Sequence, residues 1–185
     1  DESSVAAARR ALALVDLTNL DDQPTVEAID RLCERAVGPH GNTAAVCVWP
    51  RFVAQAVARL AGSGVRVATV VNFPAGGTDV AATVTETTQA LADGADEIDL
   101  VLPYRAFLDG DVAAAEAMVS AVRAAVVAPA RLKVILETGG YPDQDAVRRA
   151  TRLAIEQGAD FVKTSTGKTS ASASPEAVRT MLTEI

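Results

Sequence analysis

The chain has 185 residues, 49% hydrophobic and 22% charged, with 17 basic against 24 acidic side chains and a formal net charge of -7. That composition supports one sizeable core and a single domain over residues 1–185, and it excludes a disordered tail, a coiled-coil rod and a disulfide-stapled miniprotein. The acidic balance argues against nucleic acid and anionic membranes as partners, and no apolar run approaches the roughly 20 residues of a membrane-spanning helix.

Two cysteines (Cys33 and Cys47) and a single histidine (His40) fall in unrelated contexts with no metal-ligand spacing, so no metal site is expected. No secretory leader is visible, which points to a reducing cytoplasm.

Along the chain, apolar β-branched runs predict strands at 13–17, 44–49, 65–71, 97–102, 132–137 and 161–164. Alanine-rich stretches with helix-start signals lie between them. Pro24 and Glu27 follow Asp22; Asp79 precedes a run that ends near Leu91; Asp143 precedes another; Ser174-Pro175-Glu176 opens the last. Gly62, Gly94 and Gly158 close helices. Six βα units of about 30 residues each imply a parallel sheet clothed in helices. A doubly wound nucleotide binder would carry a glycine fingerprint after its first strand. Here the first strand runs into Asp16-Leu17-Thr18-Asn19, and the glycine pairs at 76–77 and 139–140 follow strands three and five without that spacing. The reading is therefore an α/β chain of the TIM (β/α)8 barrel class, with about six of the eight βα units present.

Strand alternation then sorts the charges. In the fourth strand Ile98, Leu100 and Leu102 share one face, leaving Asp99 with Val101 on the other. The fifth sets Lys133, Ile135 and Glu137 opposite Val134 and Leu136, and the sixth turns Lys163 inward with Phe161 and Ser165. Asp99, Lys133 and Lys163 are thus expected to converge inside the barrel, with at least one ion pair among them, because buried charge is costly unless paired.

Only three of the 17 basic residues are lysines: Lys133, Lys163 and Lys168. Arginine stays protonated, whereas lysine can act as an amine nucleophile. Lys163-Thr164-Ser165-Thr166-Gly167-Lys168 places a lysine at a strand end, then hydroxyls, glycine and a second lysine: an anion-receiving turn that also sets a cation near Lys163. A neighbouring cation lowers an amine's pKa toward neutrality, and a neutral amine attacks a carbonyl to form a Schiff base. A purely structural salt-bridge cluster is the competing reading.

These residues carry a family resemblance. The chain resembles the class I deoxyribose-phosphate aldolases in residues 14–18 (LVDLT), 41–47 (GNTAAVC) with 50–52 (PRF), and 71–74 (VNFP). The likeness continues in 94–101 (GADEIDLV) with 103–105 (PYR), and is strongest at 133–139 (KVILETG) and 158–168 (GADFVKTSTGK).

The resemblance implies reversible, cofactor-free cleavage of 2-deoxy-D-ribose 5-phosphate to acetaldehyde and D-glyceraldehyde 3-phosphate. It makes Lys163 the Schiff-base lysine and Asp99 the acid/base carboxylate, with Lys133 an interior lysine paired to acidic groups. Asp16 and Thr18 match residues near the substrate hydroxyls, Cys47 a thiol toward the acetaldehyde region, and Thr166, Gly167 and Lys168 the phosphate-side loop. Cys47 reads equally well as a small core residue. His40, Trp49 and Tyr104 acquire no role.

The segments that the family carries on its seventh and eighth strands, a second active-site lysine and most of the phosphate grip, have no match before Ile185. The expectation is an incomplete barrel with exposed first and last strands, weak activity, and self-association, such as a dimer, to cover those edges. Other Schiff-base aldolases, transaldolase-like enzymes among them, and a non-catalytic interaction module are the alternatives.

Overall fold

The computed structural model describes residues 2–185. Its principal strands are β1 (Asp16–Asn19), β2 (Ala45–Val48), β3 (Arg66–Val71), β4 (Glu97–Val101), β5 (Arg131–Ile135) and β6 (Phe161–Lys163). They form one sheet in sequence order, with β1 and β6 as its edges; the β1–β2, β2–β3 and β5–β6 ladders are parallel. This is the sequential α/β topology of a (β/α)8 barrel carried through six βα units. The helices are α1 (Glu2–Leu12), α2 (Val26–Ala36), α3 (Val53–Leu60), α4 (Val80–Ala92), α5 (Tyr104–Leu108), α6 (Val112–Ala125), α7 (Gln144–Glu156) and α8 (Pro175–Leu182). None of these described helices is long and apolar enough to cross a membrane.

The start signals act as capping theory requires. Asp143 accepts a hydrogen bond from the Ala146 N–H (2.8 Å) and Asp79 from that of Ala82 (2.9 Å). Ser174 accepts from the Ala177 N–H (3.1 Å), with Pro175 at the first helical position. For α2 the cap is Thr25, which accepts from the Ala28 N–H, rather than Asp22. The N-terminal segment also departs from the sequence reading. Residues 2–12 form a helix that was not expected, and β1 begins at Asp16 rather than residue 13, leaving Leu14 80% exposed.

The backbone groups into two compact units, one comprising residues through Val70 with Ala90–Glu97, the other Val71–Gln89 with Ile98–Ile185. In the first, α2 buries Ile29, Leu32, Cys33 and Ala36 as it packs on β1, β2 and α3. All four residues of β2 are buried, as expected of a parallel strand covered on both faces. In the second, α6 buries Ala115, Met118, Val119 and Val122, and α7 packs between α6, α8 and β6.

A repeated Gly-Ala-Asp triplet registers one strand in each unit. Gly94 and Gly158 end their helices at φ +99° and +86°, a conformation that costs a residue with a Cβ about 1 kcal/mol or more. The aspartate then clamps the preceding strand. The Asp96 N–H donates to the Val67 carbonyl while its carboxylate accepts from the Val67 N–H, both at 2.8 Å. Asp160 does the same to Leu132 (2.9 and 2.8 Å) and also accepts from Arg123 at 2.8 Å.

Candidate active site

The second unit gathers the charged strand residues. Asp99, fully buried in β4, accepts hydrogen bonds from two amines: Lys133 Nζ at 3.1 Å on Oδ1 and Lys163 Nζ at 3.0 Å on Oδ2. The three side chains therefore converge as strand alternation requires. Register explains the meeting of the two lysines. Lys133 lies beside Phe161 and Ile135 beside Lys163 across the β5–β6 ladder, so all four share one face. The lysines are not equivalent. The Lys133 side chain is 10% exposed and lies 5.9 Å from the Phe161 ring centroid, whereas that of Lys163 is 29% exposed. A less exposed and a more exposed lysine thus share one buried carboxylate.

One wall beside these residues is apolar. Val101 and Ile135, next in line on the strand faces that carry Asp99 and Lys133, cluster with Tyr104, Phe73, Leu108 and Tyr141. Phe73 lies within a built turn that runs from Asn72 to Gly77. Asn72, at φ +57°, accepts from the Gly77 N–H and donates to the Gly77 and Val101 carbonyls, while its own N–H donates to Glu86. The Tyr141 hydroxyl is buried with no hydrogen-bond partner, and burial, then the negative charge of Glu137 and the neighbouring Tyr104, push its pKa upward.

The turn after Lys163 is anchored by a residue to which the sequence reading gave no role. That reading carried the fifth strand through Glu137, but β5 ends at Ile135 and Glu137 adopts φ +60°. Its fully buried carboxylate accepts from the Thr166 N–H (3.2 Å) and the Thr166 hydroxyl, and the Thr169 hydroxyl lies 3.5 Å from it while sharing its proton with the Ala171 carbonyl at 2.9 Å. Thr166 Oγ1 in turn accepts from the Lys168 N–H at 3.1 Å. The available sequence signal was a charged residue closing a strand that already carried one.

Asp16, Thr18 and Cys47 belong to the first unit. There Thr18 lies opposite Cys47 across the β1–β2 ladder, and Asp16 opposite Ala45. Cys47 is fully buried; the Thr18 hydroxyl donates to the Asp16 carbonyl at 3.0 Å. Among the described residues, no group of three or more His, Cys, Asp or Glu side chains is placed to hold a metal ion.

Residues 10–185 match the model of the DeoC/LacD family aldolases. The chain is 55% identical over 180 residues to a deoxyribose-phosphate aldolase of Agrobacterium fabrum, covering 97% of this chain and 70% of that protein. Its fold is similar to that of a candidate deoxyribose-phosphate aldolase from Coccidioides immitis, with a TM-score of 0.88 and 36% identity over 94% of this chain and 67% of the other. It is also similar to the tetrameric deoxyribose phosphate aldolase of Aeropyrum pernix, with a TM-score of 0.83 and 26% identity over 95% and 72% of the two chains. A carboxylate gripping two strand-borne lysines thus sits in a chain that belongs to the DeoC/LacD aldolase family, a family of lyases.

Proposed function

We propose that this aldolase cleaves 2-deoxy-D-ribose 5-phosphate reversibly to acetaldehyde and D-glyceraldehyde 3-phosphate, through a Schiff base on Lys163. The observation that carries the reading is Lys163, the more exposed of two lysine side chains, whose amine is held 3.0 Å from a buried carboxylate whose other oxygen is bound by Lys133. The names of the similar proteins support the substrate.

The chemistry follows from those positions. Lys163 Nζ, once it has given up a proton, adds to the C1 carbonyl of the open-chain sugar. Asp99 is the acid/base group in reach: with water it carries protons as the carbinolamine loses its hydroxyl and becomes an iminium. When the C3 hydroxyl loses its proton the C2–C3 bond breaks, its electrons flow to the iminium nitrogen, and glyceraldehyde 3-phosphate leaves. Protonation of the enamine at C2 and hydrolysis release acetaldehyde and restore the amine. Lys133 holds Asp99 in place. Gly167 and Lys168 receive the phosphate.

The Aeropyrum tetramer supports self-association of this chain as well. Cys33 and Cys47 are buried thiols rather than a disulfide, which supports a reducing, cytoplasmic setting. The test of function is product release. Incubation with 2-deoxyribose 5-phosphate should liberate both aldehydes, and Lys163→Arg should liberate neither, since a guanidinium stays protonated. Equal release by that variant, or cleavage of a ketose phosphate alone, would overturn the reading.

A further inference from the structure

Glu137 makes contacts that a packing role does not explain. It is a fully buried carboxylate in a left-handed backbone conformation, and its two donors, the N–H and hydroxyl of Thr166, come from the turn that follows Lys163, with the Thr169 hydroxyl 3.5 Å away and its proton shared with the Ala171 carbonyl at 2.9 Å. A buried carboxylate is retained only where its acceptor sites are filled, and charge-assisted bonds are the stronger kind. Here they fix both donors of Thr166 on Glu137. The Thr166 hydroxyl must point at the carboxylate, which leaves its oxygen to receive the Lys168 N–H. The turn is seated from a second side. The Thr138 N–H donates to the Thr164 carbonyl at 2.8 Å, and a Cβ on Gly139 would meet Ala171 Cβ at 2.6 Å and its carbonyl oxygen at 2.8 Å.

We propose that Glu137 is a positioning residue for anion recognition: through Thr166 it sets the backbone of the 166–169 turn so that Gly167 and Lys168 meet the phosphate of the substrate. The proposal rests on the function above and deepens it. Thr166, its N–H and hydroxyl both committed to Glu137, acts by shaping the turn rather than by binding the phosphate. Specificity for a phosphorylated sugar is then written at the end of β5, one strand away from the lysine that performs the chemistry.

The test separates the anion from the aldehyde. Reductive trapping on Lys163 is followed as a function of concentration with 2-deoxyribose 5-phosphate and with unphosphorylated 2-deoxyribose. Both present the same C1 aldehyde, and the readout needs no turnover. Glu137→Gln keeps the shape but removes the charge. It should raise the half-saturating concentration of the phosphorylated sugar about 10- to 100-fold, the scale of a lost charge-assisted bond, and leave that of the unphosphorylated sugar unchanged. Gly139→Ala, which displaces the turn from its other side while keeping Glu137, should give the same pattern and carries the test if Glu137→Gln does not fold. Equal effects on both sugars, or none on either, overturn the role of Glu137. A wild-type protein that traps both sugars alike overturns the anion-receiving turn, and one that traps neither on Lys163 overturns the proposed function itself.

Discussion

Lys163 Nζ and Asp99 Oδ2 stand 3.0 Å apart, 64 residues distant in sequence, and the same carboxylate binds Lys133 through its other oxygen. Asp99→Asn therefore removes the charge that two amines share and replaces one of the two acceptor oxygens with a donor. Breaking a buried pair by deleting one partner costs about 3–5 kcal/mol, and loss of an acid/base group slows the chemical step by about 10²-fold or more. Chemical denaturation and the rate of iminium trapping report the two effects separately. Full stability together with full trapping rate in Asp99→Asn would contradict both roles.

A second prediction concerns acid. Burial pushes the Asp160 carboxyl upward, but the Leu132 N–H and the Arg123 guanidinium that bond it, with the charges of Arg123 and Arg131, outweigh burial and hold it below the usual carboxylate range. A carboxylate depressed in the folded state contributes stability above its unfolded value of about 3.9, and that contribution is lost as pH falls through the folded value. Its side chain is 41% exposed, so solvent screening keeps the effect near 0.5–1 kcal/mol. Asp160→Asn should lower the unfolding midpoint at neutral pH, and the gap to wild type should close in strong acid. A gap that widens on acidification would reverse the sign.

The legibility of these features in the sequence follows from their range. Asp99, Lys133 and Lys163 could be placed on one interior face because alternation along a strand is local and the strands follow in order. The two Gly-Ala-Asp triplets stand in the sequence as repeats, although the strand each clamps is some 30 residues away. The first strand was misplaced because Leu14 and Val15 look like strand residues. What makes Asp16–Asn19 a strand is pairing with 45–48, a tertiary contact that outweighs its polar composition. Glu137 was assigned to the strand because nothing local announces a left-handed residue other than glycine or asparagine; its conformation is held by donors about 30 residues further on.

The Tyr141 hydroxyl, buried and without a partner, forfeits hydrogen bonds to water that it would make in the unfolded chain. Tyr141→Phe keeps the ring, stacked on Phe107 with centroids 6.2 Å apart, and discards the uncompensated oxygen. Stability should rise by about 1 kcal/mol in denaturant unfolding. A fall of that size would mean that the hydroxyl is satisfied in solution.

The most direct measurement is borohydride reduction of the protein in the presence of acetaldehyde, followed by peptide mass mapping. Lys133 and Lys163 share one carboxylate, but the Lys163 side chain is 29% exposed against 10% for Lys133, so the two-carbon adduct should fall on Lys163. Lys163→Arg should carry none. An adduct on Lys133, or on neither lysine, would contradict the assignment of Lys163 as the nucleophile.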